Sequence, residues 1–174
     1  MSATVTVVVR TRNRPAMLAR ALGSIGSQSF TDYEVVVVND AGDEAEVASV
    51  VATQDPDLRA KIQVVTNEVS KGREAALDSG LQASRHPYYA VHDDDDSWHP
   101  DFLARTVAYL DEHPAAGGVA TRCEIIRERV RADGTCTEIE REVLSTDMYG
   151  LSLVDMMVEN YTPPISQLIR REVA

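Results

Sequence analysis

Asp93, Asp94, Asp95 and Asp96 stand consecutively in the chain, and no other segment concentrates so much chemistry. Two carboxylates about 6 Å apart repel by roughly 3 kcal/mol at an effective dielectric near 20. Four in a row at a strand end therefore call for something cationic. In an extended segment alternate side chains share a face, so Asp93 and Asp95 are expected to point one way and Asp94 and Asp96 the other. A D-x-D pair can present oxygens to one hard divalent ion and leave positions open for substrate phosphates. A metal bridging a diphosphate lowers the charge barrier to its departure. The competing reading is a solvated acidic turn capping the helix that begins near Pro100. The position of the run after an apolar strand favours the metal. His92 and His99 flank it as ligands or as packing residues; hard ions prefer oxygen, which favours packing.

The elements that must position this run alternate in type. Residues 4–9 form a near-continuous apolar run of the kind buried on both faces of a sheet, 33–38 read as a second buried strand, and 61–66 and 88–92 read as a third and a fourth strand. Between them lie helical patterns. Pro15 suits a first helical turn, and Leu18, Leu22 and Ile25 share one face. Asp43 and Glu46 resemble a capping box ahead of Val47, Val50 and Val51. Gly72 opens a third helix, with Ala76, Leu77, Gly80 and Leu81 inward. This β-α-β alternation predicts an α/β, Rossmann-like three-layer sandwich around a mostly parallel sheet. Ligands of such sheets bind at the carboxyl ends of strands. There the sequence places 11–14, Asn39-Asp40 and 93–96. Beyond Pro100, Phe102, Leu103, Val107 and Leu110 mark a helix. Residues 119–130 and 135–144 read as a C-terminal hairpin around Asp133-Gly134. Residues 151–158 read as a short helix, and Pro163-Pro164 interrupts the chain before 165–170.

The 174 residues suffice for one domain with a real core. A net charge of -11 argues against nucleic-acid binding and against a polybasic membrane anchor. Cys123 and Cys136 lack metal-type spacing and read as reduced thiols. The N-terminus lacks a signal-peptide pattern, and no apolar run approaches the roughly 20 residues that span a bilayer. The expectation is a cytoplasmic protein without a transmembrane segment.

Together these segments resemble the family 2 glycosyltransferases, inverting enzymes of the GT-A fold that use nucleotide-diphosphate sugars. The resemblance rests on 7–15, on 37–40, on 67–80, and most strongly on 89–101 with its strand, D-x-D-D, Trp98 and Pro100. It implies that Thr11, Asn13 and Arg14 line the nucleotide pocket and that Asp40 accepts hydrogen bonds from base or ribose. It places Arg73 by the base or diphosphate and Asp94 by ribose and diphosphate. Asp93 and Asp95 become the outer D-x-D residues, with Asp95 the principal metal contact, Mn2+ or Mg2+, and Asp96 a brace for the loop. The partners implied are a nucleotide-sugar donor and a glycan, lipid or small-molecule acceptor, with self-association possible. Residues 1–100 would form the nucleotide-sugar and metal-binding half, and 101–174 an incomplete acceptor-side half. The segment carrying the catalytic base is expected beyond residue 174, leaving the domain truncated at its C-terminus.

Each residue has a structural alternative. Asp40 can cap the next helix. Arg12 and Arg14 can be solvated charges at a helix start. Trp98 can plug the core beneath the metal loop, and Tyr161 with the two prolines can serve packing. Arg73 at a helix N-terminus opposes the dipole, which favours anion binding. Ala76-Leu77-Asp78 departs from the Ala-Arg-Asn of many relatives, leaving Arg73 as the substitute for that arginine. Glu138, Glu140, Glu142, Asp147, Asp155 and Glu159 follow, and none stands out as a base. A non-catalytic nucleotide- or partner-binding module of the same fold is the alternative function.

Overall fold

The structure, a computed structural model, describes residues 4–131, 136–144 and 162–173. Strands β1 (Val5–Thr11), β2 (Tyr33–Asp40), β3 (Ile62–Asn67) and β4 (Tyr88–Asp93) alternate with helices. The helices are α1 (Pro15–Gly26), α2 (Glu44–Ala52), α3 (Pro56–Arg59), α4 (Arg73–Gln82) and α5 (Phe102–Glu112). Short β5 (Gly118–Ala120) follows, then β6 (Glu124–Val130), β7 (Cys136–Val143) and β8 (Gln167–Arg170). The central sheet runs β3-β2-β1-β4-β8-β5, parallel from β3 to β4, with β8 antiparallel to both its neighbours.

The valine-rich strands work on both faces. Val5, Val7 and Val9 of β1 pack with Leu18, Leu22, Leu103 and Leu110 under α1 and α5. Val8 joins Val36, Val38 and Ala76 under α4. The result is the expected three-layer sandwich with a mostly parallel sheet. Asp43 caps α2 by accepting the Ala45 and Glu46 N–H groups at 2.8 and 3.2 Å. Strand order reverses between β1 and β4, and the carboxyl ends of those strands form a topological switch point.

The C-terminal strands correct the expectation from sequence. The stretch 119–130 is two strands: β5 joins the central sheet through β8, while β6 pairs, among the described residues, with β7 in a separate ribbon. β8 comes from residues far along the chain, so local pattern could not reveal the split. The expected turn at Asp133-Gly134, the helix over 151–158 and Tyr161 lie outside the described residues.

α4 lies close on the sheet because position 80 carries no side chain. A Cβ on Gly80 would come within 2.5 Å of Val8 Cγ1 and 3.0 Å of Val38 Cγ2. Gly80→Ala is therefore expected to destabilise the domain by about 1–2 kcal/mol, overpacking outweighing the helix-propensity gain. That corresponds to a Tm lower by roughly 2–8 °C in a thermal melt. An unchanged or higher Tm would show that α4 can back away from the sheet.

Candidate functional site

The site gathers at the switch point. Arg10 stands opposite Asp93 in the β1–β4 register, and its guanidinium donates through Nε and Nη2 to Asp93 Oδ1 at 2.8 and 2.5 Å. Its Nη1 donates to the Arg73 carbonyl at 3.0 Å, tying the start of α4 to the acidic run. Arg73 itself reaches within 3.6 Å of Asp93 Oδ2. The Thr11 hydroxyl donates to Asp94 Oδ2 at 2.7 Å. Arg14 Nη2 donates to Asp94 Oδ1 and lies 2.8 Å from Asp95 Oδ2.

One expectation about the run is thereby corrected. It is not extended past Asp93: residues 94–95 turn, and the Asp96 N–H returns to the Asp93 carbonyl at 3.2 Å. Asp94 and Asp95 consequently converge on one guanidinium instead of facing apart. Three of the chain's own cations, Arg10, Arg14 and Arg73, stand within ion-pair distance of the run. Among the described residues no three His, Cys, Asp or Glu side chains form a ready metal cluster.

Asp40 is held by its own chain. Asn67 Nδ2, the Ser70 hydroxyl and the N–H groups of Lys71 and Gly72 all donate to it. Burial pushes its carboxyl up, but these four donors outweigh that and hold it at about 2. Asp40 therefore anchors the loop leading into α4, while capping of α2 falls to Asp43. Asn13, in a left-handed conformation at φ 51°, accepts the Asp43 N–H at 2.9 Å and clamps the β2–α2 loop. It does not line the cleft described below.

Trp98 is the core plug: it stacks on Phe102 and donates from Nε1 to the Ile165 carbonyl at 2.7 Å. His92 lies buried against its edge, donating from Nδ1 to the Asp93 carbonyl at 2.9 Å. Burial lowers its pKa to about 4, so the ring is neutral and adds no charge to the run. His99 is exposed, beside Asp101. Cys123 and Cys136 are not joined in a disulfide.

A cleft of about 490 Å³ opens over these groups, a size that suits a small ligand. Arg10, Arg12, Arg14 and Arg73 line it together with Asp40, Asp93, Asp94 and Asp95. Four cations face four anions in a chain of net charge -11, so the cleft is far less acidic than the protein around it. Thr11, Gly72, Ser70 and Ala76 complete the lining. The sequence reading missed Arg10. The signal was a single charge at the end of an otherwise apolar strand, which burial permits only beside an opposite charge.

A mostly parallel sheet with a polar cleft at its switch point places the cleft where open α/β sheets bind ligands, and the fold is of the GT-A type. The chain belongs to glycosyl transferase family 2, whose model matches residues 6–162. The glycosyltransferase YwdF of Bacillus subtilis is 26% identical over 96% of this chain and 58% of its own length. The mannosyltransferase PcManGT of Pyrobaculum calidifontis, solved with GDP-Man and Mn2+, superposes with a TM-score of 0.61 at 28% identity. That match covers 73% of this chain and 36% of the mannosyltransferase. TarS of S. aureus, solved with UDP-GlcNAc, gives 0.59 at 25% identity over 68% of this chain and 33% of its own. The chain spans 12–58% of the length of the first curated relatives it matches. No helix among the described residues is long and apolar enough to cross a membrane.

Two predictions separate the charges. Arg10 is 9% exposed, so Arg10→Met should strip Asp93 of its buried partner, leaving it the longer contact to the exposed Arg73, and cost about 3 kcal/mol. Adding Asp93→Leu should recover most of that loss in denaturant melts; no recovery would mean that Arg10 stabilises by packing alone. Asp96 provides the pH test. Burial, then repulsion from Asp95, Asp93 and Asp94, raises its carboxyl from 3.8 to about 6. A raised carboxyl stabilises the fold while protonated, and that stability is lost as pH rises through about 6. Asp96→Asn should thus raise Tm by about 2–4 °C near neutral pH, for about 1 kcal/mol after allowing for its partial exposure. The gain should vanish below about pH 4; a gain independent of pH would contradict this cause.

Proposed function

We propose that this domain binds the donor for an inverting, metal-dependent glycosyltransferase that moves a sugar from a nucleoside diphosphate to a glycan, lipid or small-molecule acceptor. The observation that carries the proposal is the meeting of Asp95, Arg14 and Arg73 in one cleft at the switch point. In this reading residues 1–100 hold nucleotide-sugar and metal, and residues 101–174 belong to the acceptor side. The relative that holds GDP-Man and Mn2+ in the same fold supports it.

The residues present fit a divalent cation. Arg14 already places a positive group between the oxygens of Asp94 and Asp95, and carboxylate oxygens are what Mn2+ or Mg2+ takes. Asp95, more than half exposed, would be the principal donor. Asp93 would add Oδ2, since its Oδ1 is engaged by Arg10. When bound, the ion would neutralise charge on the leaving diphosphate.

The chain's own residues do the remaining work. Thr11 fixes the rotamer of Asp94, and Asp94 faces the cleft beside Arg14. Asp40 orders 70–72 so that Gly72 and Arg73 border the cleft at the start of α4. There an anion meets both a helix N-terminus and a guanidinium that is 72% exposed. Inversion also needs a base for the acceptor hydroxyl; we assign that role to no residue of this chain.

A second reading, a nucleotide-binding module without catalysis, is favoured by the arginines that already neutralise the run. Calorimetry with uridine, guanosine and thymidine diphosphates, with and without Mn2+, separates the two. The proposal expects one diphosphate to bind in a metal-dependent way, with Asp95→Ala weakening it at least tenfold. Binding indifferent to both metal and Asp95→Ala would establish the module instead.

A further inference from the structure

We propose that Arg14 is a displaceable counter-ion: it pairs with Asp95, the principal metal donor of the reading above, until a divalent ion arrives, and then transfers to the donor's diphosphate. The inference rests on the metal-dependent donor reading above and goes beyond it by coupling the two ligands through one side chain.

Arg14 is poorly explained by the helix it begins. It occupies the N-cap of α1 and makes no side-chain cap bond, although Ser, Thr, Asp or Asn would serve there. A positive charge also opposes the dipole at that end. Instead its guanidinium reaches 80 residues along the chain to Asp94 and touches Asp95 with the same Nη2.

The two arginines that hydrogen-bond to the acidic run differ in freedom. Arg10 is buried on a central strand, and besides Asp93 it holds the Arg73 carbonyl, so its position is fixed by the sheet and α4. Arg14 is 44% exposed, and Asp95 is 57% exposed, which leaves that contact open to exchange. A guanidinium and a divalent ion compete for the Asp95 carboxylate, and their like charges repel at that distance. In the absence of nucleotide, a metal must therefore expel Arg14 against nothing in return. With a diphosphate in the cleft, Arg14 exchanges two carboxylates for phosphate oxygens while remaining among the lining residues. Metal and diphosphate should then bind cooperatively, each strengthening the other by the same factor.

The test is Mn2+ binding, followed by electron paramagnetic resonance of the free ion, for the native protein, Arg14→Gln and Arg14→Lys, with and without UDP or GDP. Circular dichroism checks folding of each. The native protein should bind Mn2+ weakly alone and at least tenfold more tightly with nucleotide. Arg14→Gln should bind Mn2+ alone at least tenfold more tightly than native, about 1.4 kcal/mol, yet bind the nucleotide more weakly. These opposite signs are the signature, because simple damage to the site would weaken both. Arg14→Lys, whose ammonium is a compact point charge instead of a planar fork, should fall between them, and it carries the test if the glutamine variant fails to fold. Mn2+ bound no more tightly by the variants than by native protein overturns the counter-ion role and leaves the donor reading standing. Mn2+ bound by none of the proteins, with or without nucleotide, overturns the metal site itself and this inference with it.

Discussion

The pairing of arginine with aspartate across the carboxyl ends of β1 and β4 is the constraint on which the site depends. Four successive carboxylates at a strand end would repel one another strongly enough to open the turn. Arg10 prevents this from within the sheet, because the parallel register sets it beside Asp93. Arg14 does so from the start of α1, where it closes on Asp94 and Asp95. The Thr11 hydroxyl completes the hold on Asp94, whose carboxyl burial keeps above its ordinary value. The acidic loop is thus ordered by groups that also line the cleft.

This arrangement requires the fold to deliver β1 and β4 side by side although they are far apart in sequence. Val5, Val7 and Val9 on one face and Val8 on the other seat β1 at the centre of the sheet. The plug formed by Trp98, Phe102 and neutral His92 supports the acidic loop from below. Asp40 performs a parallel task at the end of β2, where four donors fix the approach to α4. The polar groups at the three strand ends are consequently placed by apolar packing, and their own hydrogen bonds set only the final geometry.

Much of this was legible in the sequence because the signals were local. Apolar runs such as 33–38, the Asp43 cap and the helical spacing of Leu18, Leu22 and Ile25 depend on near neighbours. The polar clusters followed from strand ends, so Thr11, Asp40 and the aspartate run could be placed in one region. What was hidden was long-range. The partner of Asp93 is a residue 83 positions earlier, and strand pairing had to be known before Arg10 became visible as a site residue. The splitting of 119–130 depends on β8, supplied by residues 167–170. Local reading also took the aspartates as extended, because the turn that gathers Asp94 and Asp95 is closed by Arg14 and a backbone hydrogen bond.

The most direct test is a crystal structure of the protein with Mn2+ and a nucleoside diphosphate that it binds, with manganese located by its anomalous scattering. The account expects a single anomalous peak at the Asp95 carboxylate, the diphosphate beside it in the cleft, and Arg10 still paired with Asp93. Nucleotide bound away from the ends of β1 and β4, or manganese density absent from Asp95, would contradict it.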